Sequence, residues 1–157
     1  MLGFRALVRI RLERLEIQFD NITQADVEPM ERAFVRLLGA LAAAQSDFDL
    51  SSYAVDIGLH GRLSGVEPKD YLGTFVAKSP SLPGPYIASG VIFYFGEDGA
   101  AAVRTVTADL SGLVPGNLYV RIYCLYKDTV PPQGLRAAAQ EQIRAALSSL
   151  GLTRELD

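Results

Sequence analysis

The spacing of apolar residues changes period several times along the chain, and this constrains the fold more than any other feature of the sequence. From Phe4 to Phe19 apolar residues occupy alternate positions, as in a β-strand with one buried face. From Val27 to Leu41 they recur at every third or fourth position, as on one side of an α-helix. Both patterns within 157 residues predict a single domain, residues 1–157, of mixed α+β class.

The first alternating stretch changes the parity of its apolar positions near Glu13. Even positions are apolar before it and odd positions after it: Ala6, Val8, Ile10 and Leu12, then Leu15, Ile17 and Phe19. One long strand with an extra residue, or two abutting strands, would produce this switch, and we expect a β-bulge at the change. The next helix is predicted to begin at Asp26, because Pro29 then falls in its first turn, where a missing N–H costs nothing.

The strand pattern returns later in the chain, and a helix pattern closes it. Strands are predicted around residues 53–59, 86–95 and 117–127, and the second of these turns back into a further strand as a hairpin. The segment after Pro68 permits a short helix or a strand, and a short helix or an irregular edge segment is favoured. The last helix, from Leu135, is predicted to end with Gly151 in a Schellman motif.

These elements predict a mostly antiparallel, strongly curved sheet of about five strands. A long helix follows the first strand, and a long C-terminal helix packs on one face of the sheet. In element order and size the chain is similar to the helix-grip family of ligand-binding proteins, in which a curved sheet wraps a long C-terminal helix. The resemblance implies a cavity between sheet and helix that could hold a small apolar ligand.

The most apolar stretch of the chain is Pro85–Phe95, with the sequence PYIASGVIFYF. It is too short to span a bilayer as a helix, and both of its faces are apolar. A central strand covered on both sides would have this composition, and so would a strand whose second face meets a partner or a cavity. The pattern favours the covered central strand.

Charge and cysteine content exclude several classes of function. The net charge is −3, and the arginines from Arg5 to Arg14 alternate with Glu13 and Glu16, so no nucleic-acid partner is expected. Cys124 is the single cysteine, which rules out an internal disulfide and a zinc cluster. The charged N-terminal stretch is unlike a signal peptide, and no apolar run reaches about 18 residues, so a cytoplasmic protein with no membrane partner is expected.

Motifs for cofactor or metal chemistry are missing from the sequence, so no cofactor and no metal site is expected. His60 is the only side chain whose ordinary pKa lies near neutrality, and it could act as a general base with Asp70 or Glu67. A partly exposed histidine at the end of a strand is the simpler interpretation, because spacing alone shows neither an orienting partner nor a cavity.

Tyrosine and arginine alternate on the last predicted strand. Tyr119, Arg121 and Tyr123 share one face, and Tyr86 and Tyr94 are expected to face the same way across the sheet. Tyrosine and arginine are enriched where proteins contact partners. A helix-covered face whose hydroxyl groups reach the surface would have the same pattern.

Binding therefore ranks above catalysis. The first hypothesis is a non-enzymatic protein-binding or assembly domain that contacts a partner protein, or copies of itself, through the tyrosine-rich face or an unpaired strand edge. The second is a carrier of a small apolar ligand in the cavity described above. The third is an enzyme that uses His60 with Asp70 or Glu67.

Overall fold

The computed structural model divides into two compact units, Met1–Ser51 with Thr129–Gln140 and Ser52–Asp128 with Glu141–Asp157. The expectation of a single domain stays a prediction. The residues that the structure describes are 5–11, 14–20, 26–44, 53–75, 89–96, 104–126 and 135–152.

The first unit contains an antiparallel hairpin of β1 (Arg5–Arg11) and β2 (Arg14–Asp20). The predicted β-bulge is wrong, since the chain reverses direction between the two strands. The register pairs Arg11 with Arg14 and Val8 with Ile17, so an even position in β1 always stands opposite an odd position in β2. A reversal of this length therefore produces the parity switch, and the apolar positions of the two strands stand opposite one another.

The helix of the first unit, α1 (Val27–Ala44), begins directly after Asp26, as predicted, and Pro29 lies in its first turn. Its polar side carries an ion pair one turn apart, in which the Arg32 guanidinium lies 2.6 Å from the Glu28 carboxylate. The expectation of a long helix after the first strand is wrong, because α1 follows the second strand of the hairpin.

The second unit is built on a four-stranded antiparallel sheet of β3 (Tyr53–Gly61), β4 (Val91–Phe95), β5 (Arg104–Leu110) and β6 (Leu118–Tyr126). Their spatial order is β3-β6-β5-β4. The α+β class and the antiparallel pairing are confirmed. The single sheet of about five strands is wrong, because β1 and β2 pair with each other in a separate sheet.

The core of the second unit lies on one face of this sheet, which we call the inner face. Its strand residues alternate along β5 and β6, and the most deeply buried of them are Val106, Ala108 and Ile122. Two helices cover it: α2 (Pro68–Gly73) contributes Leu72, and α3 (Leu135–Ser149) contributes Ala146. The predicted short helix after Pro68 is confirmed, and the C-terminal helix packs on one face as expected.

The end of α3 follows the predicted Schellman motif. Gly151 adopts a left-handed backbone conformation with φ 69°, which glycine accepts without steric cost. Its N–H donates to the Ser148 carbonyl, and the Leu152 N–H donates to the Leu147 carbonyl over 2.8 Å. Leu152 then packs against the core. The hydroxyl of Tyr71 in α2 donates to the Leu150 carbonyl, so both helices are joined next to this end.

Strand β4 lies at an edge of the four described strands, so the preference for a covered central strand is wrong. It pairs antiparallel with β5, which confirms the hairpin, whereas residues 97–99 of the expected turn and residues 81–88 lie outside the described residues. Ile92 and Tyr94 point away from the core and are 53% and 70% exposed. The described part of the apolar stretch, β4, therefore has one half-buried face and one exposed face. Among the described residues, no helix combines the length and apolarity needed to cross a membrane.

Candidate functional site

The face of the four-stranded sheet opposite the core, which we call the outer face, carries most of the binding residues selected from the sequence. Strand alternation places there every second residue of each strand. By register these are Ala54, Asp56, Gly58 and His60 in β3, Tyr119, Arg121, Tyr123 and Leu125 in β6, Thr105, Thr107 and Asp109 in β5, and Ile92 and Tyr94 in β4.

An ion pair lies at the middle of the outer face. The Arg121 guanidinium donates through Nε to Asp56 Oδ1 over 2.9 Å and through Nη2 to Oδ2 over 2.6 Å. Two parallel hydrogen bonds of this kind define the position of the whole guanidinium plane. The hydrogen bond and charge of Asp56 raise the pKa of Arg121 above its ordinary value, so the cation is retained at any physiological pH.

Tyrosines flank this ion pair along β6 and extend to the sheet edge. Tyr119 and Tyr123 stand two residues before and after Arg121, on the same face. The register places Tyr123 opposite Thr105 and Thr105 opposite Tyr94, so one row across the sheet runs from the centre to the edge strand. The structure thus brings Tyr94, Tyr119, Arg121 and Tyr123 to one face. Tyr86 lies outside the described residues, and the binding role of all five stays a prediction.

His60 is held at one end of the outer face by an aromatic ring and a hydroxyl group. Its ring stacks on Tyr119, its cross-strand neighbour, with ring centroids 4.9 Å apart. Its Nδ1 lies 2.8 Å from the Ser111 hydroxyl, which also accepts a hydrogen bond from the Val114 N–H. A hydroxyl group has one proton and two lone pairs, so it can pair with His60 Nδ1 in either imidazole tautomer while accepting from Val114. The contacts orient an exposed imidazole.

A glycine allows the Tyr119 ring to lie where it does. A Cβ atom at Gly58 would stand 3.2 Å from both Cε2 and the hydroxyl oxygen of Tyr119, closer than side chains normally approach. The Tyr119 ring therefore packs over the backbone of Gly58 and stacks on His60. Close approach of this kind is one of the uses of glycine within a strand.

The two carboxylates proposed as partners of His60 lie elsewhere. Glu67 is the residue that precedes α2, and Asp70 lies in its first turn. Since α2 packs on the inner face and His60 belongs to the outer face, the structure does not bring these three residues together. Sequence reasoning missed Ser111, the hydrogen-bond partner that the structure supplies, because the serine lies in a hairpin turn without any recognisable motif around it.

A cleft of about 310 Å³ opens between the inner face and α3. The residues that line it are Phe95, Arg104, Cys124, Leu125, Tyr126 and Gln142. Sequence reasoning missed Arg104 and Gln142. The signal for Arg104 was its parity, because it shares a face of β5 with Val106 and Ala108, where an arginine is unexpected.

In the part of the chain that the structure describes, no group of three His, Cys, Asp or Glu side chains is placed to bind a metal ion. Comparison with family models, with curated proteins and with solved structures gives no match.

Proposed function

We propose that this protein is a non-enzymatic assembly domain that associates with a second copy of itself through the outer face of the four-stranded sheet. The observation that carries the proposal is the exposure of Tyr94 and Ile92, which are 70% and 53% accessible on the same face as Tyr119, Arg121 and Tyr123. Large apolar and aromatic side chains grouped on an open face are typical of a contact surface.

The ordering of this face supports the proposal. Arg121 is held by two hydrogen bonds to Asp56, and Tyr119 is held between Gly58 and His60. Side chains already held in one conformation lose little entropy on association. For a flexible side chain, the entropy lost on immobilisation costs about 0.5–1.5 kcal/mol. Tyrosine and arginine in such positions are the residues that most often dominate binding energy.

A second copy is the occupant that the charges favour. A two-fold contact places the same patch on both partners, so the patch must be complementary to itself. The outer face carries Arg121 and Asp56 side by side and a further carboxylate, Asp109, and its remaining described surface is largely hydroxyl and aromatic. Because charges of both signs are present on one patch, the Arg121 guanidinium of each copy can meet a carboxylate of the other.

The test is the mass of the full chain by native mass spectrometry and sedimentation equilibrium. We expect a discrete dimer, and Tyr94→Lys and Tyr123→Lys should each weaken it by tenfold or more, since a buried unpaired charge is costly at an interface. Leu113→Lys is the matched control, because Leu113 is 81% exposed but lies in the β5–β6 turn rather than on the sheet face.

Two outcomes would overturn the proposal. One is a wild-type protein that stays monomeric at about 100 μM, a concentration at which even a weak contact of micromolar affinity is populated. The other is a dimer that resists both Tyr94→Lys and Tyr123→Lys, because a contact through the outer face would bury both of these side chains.

A further inference from the structure

Among the described residues that line the cleft between the inner face and α3, Arg104 is the one that carries a charge. Its register partners are Phe95 on β4 and Cys124 on β6, so it stands in a row that is otherwise apolar. The guanidinium lies over the Phe95 ring, 4.1 Å from the ring centroid, and Nη1 donates to Gln142 Oε1 of α3 over 3.2 Å. Sheet, ring and helix together hold the cation at the wall of the cleft.

The hydrogen-bonding capacity of Arg104 is left incomplete. Its Nε–H is buried and has no acceptor, and Gln142 contributes a neutral amide rather than a counterion. None of the ion pairs found among the described residues includes Arg104. A buried donor without an acceptor is unusual in proteins and destabilises the folded state, more so when the group is charged. The arrangement is that of a cation prepared for an acceptor that the described residues do not supply.

The neighbours of Arg104 do not neutralise it. Burial raises the pKa of the Cys124 thiol above its ordinary value of 9.0, against smaller opposing effects of Tyr126 and Arg104, so the thiol is neutral at physiological pH. The rest of the described lining consists of Phe95, Leu125, Tyr126 and Gln142. The cleft thus combines one positive charge with a mostly apolar and aromatic wall.

We propose that this cleft binds a small monocarboxylate, with the carboxylate paired to Arg104 and the apolar body against Phe95 and its neighbours. A planar carboxylate matches the geometry of a guanidinium, and one negative charge matches the single cation of the described lining. A phosphate monoester carries a charge of about −1.5 to −2 at neutral pH, more than one guanidinium balances. The site is independent of the outer face.

The volume of the cleft, about 310 Å³, guides the choice of probe. At about 30 Å³ for each water-sized group it corresponds to roughly ten non-hydrogen atoms, and the cleft is open to solvent beyond that. Octanoate, with about ten non-hydrogen atoms, is therefore the probe, and octanamide, its neutral counterpart of the same size, is the matched control ligand.

The experiment titrates each probe into the full chain and measures binding by isothermal titration calorimetry and by amide chemical shifts. We expect octanoate to bind at least about tenfold more tightly than octanamide. Arg104→Gln should reduce octanoate affinity to that of octanamide and leave octanamide unchanged. Arg62→Gln, which removes an exposed arginine of the same unit, should change neither.

A second variant keeps the test decisive if Arg104→Gln fails to fold. Gln142→Glu places a carboxylate where Nη1 of Arg104 already has its acceptor, so it should supply the missing counterion, raise stability and abolish octanoate binding. Equal binding of octanoate and octanamide would overturn the proposal. So would no binding of octanoate at millimolar concentration, or undiminished octanoate binding in the Gln142→Glu variant.

Discussion

The two faces of the four-stranded sheet come from the same strands and differ in almost every property. Along β6, Ile122 and Cys124 on the inner face are nearly inaccessible, whereas Arg121 between Val120 and Ile122 is half exposed. A step of one residue thus separates a core position from a surface position. Inner residues are replaceable only by side chains of similar shape, while outer residues are free to serve another purpose.

On each face, one residue differs in polarity from most of its neighbours. The inner face is apolar except for Arg104, whose Nε–H lacks an acceptor. On the outer face, Ile92 is an aliphatic side chain left 53% exposed. Both placements are unusual for the residue type, since one puts a charge near a core and the other leaves an apolar group in water. These two exceptions are the positions to which the two binding proposals are tied.

The largest expected difference between the faces is in stability. Ile122→Ala should lower the free energy of unfolding by about 2–5 kcal/mol, because Ile122 is fully buried and its removal leaves a cavity. Tyr123→Ala, one residue further along β6, should lower it by less than about 1 kcal/mol. Urea unfolding followed by circular dichroism measures both values. Equal losses in the two variants would show that the outer face is also part of a core.

A smaller effect should appear at alkaline pH, and it belongs to the inner face alone. Burial raises the pKa of Cys124 in the folded state above 9.0, so the unfolded chain releases that proton first. Its contribution to stability is complete below pH 9 and is lost as pH rises through the folded-state pKa, by at most about 1.4 kcal/mol for each pH unit.

The Cys124→Ala variant isolates this contribution. Tyrosines and lysines also titrate near pH 10, so the comparison is between the slopes of stability against pH in the variant and in the wild type. We expect a shallower decline above pH 9 in Cys124→Ala. Identical slopes in urea unfolding would mean that the thiol is accessible to water.

The smallest effect should come from the ion pair at the centre of the outer face. Asp56 and Arg121 are 47% and 51% exposed, and exposed pairs contribute about 0.2–1 kcal/mol even when their geometry is good. A double-mutant cycle of Asp56→Asn and Arg121→Met should give a coupling energy in that range, and added salt should reduce this energy. A coupling energy several times larger would show that water is excluded from the pair, and so that this part of the outer face is buried.

Much of the fold follows from short-range patterns in the sequence. The period of apolar residues located α1, β3, β6 and α3, and the glycine and leucine at 151 and 152 predicted the helix ending that is found. The alternation in β6 assigned Ile122 and Arg121 to opposite faces correctly. In each case the pattern repeats within one helix or strand, at steps of two, three or four residues, so residues close together in the sequence are enough to predict it.

The residues of the candidate sites could be predicted from the sequence only in part. The alternation along β6 brought Tyr119, Arg121 and Tyr123 together, because residues two apart in a strand share a face. Nothing near His60 in the sequence indicated that its partner would be Ser111, which is 51 positions away, rather than Asp70 or Glu67. Likewise, Gln142 reaches Arg104 across 38 positions. Such neighbours are set by which elements pack together.

Residue order alone was sufficient for the α+β class, for the approximate positions of α1, β3, β6 and α3, and for the two faces of β6. Strand pairing was decided at the tertiary level: the parity switch near Glu13 fits a bulge or a hairpin equally well, and only the pairing of β1 with β2 distinguishes them. The edge position of β4 was decided there too. The physical reason is that strand hydrogen bonds and burial join residues far apart in the chain, so their free energy depends on the whole packed arrangement rather than on local spacing.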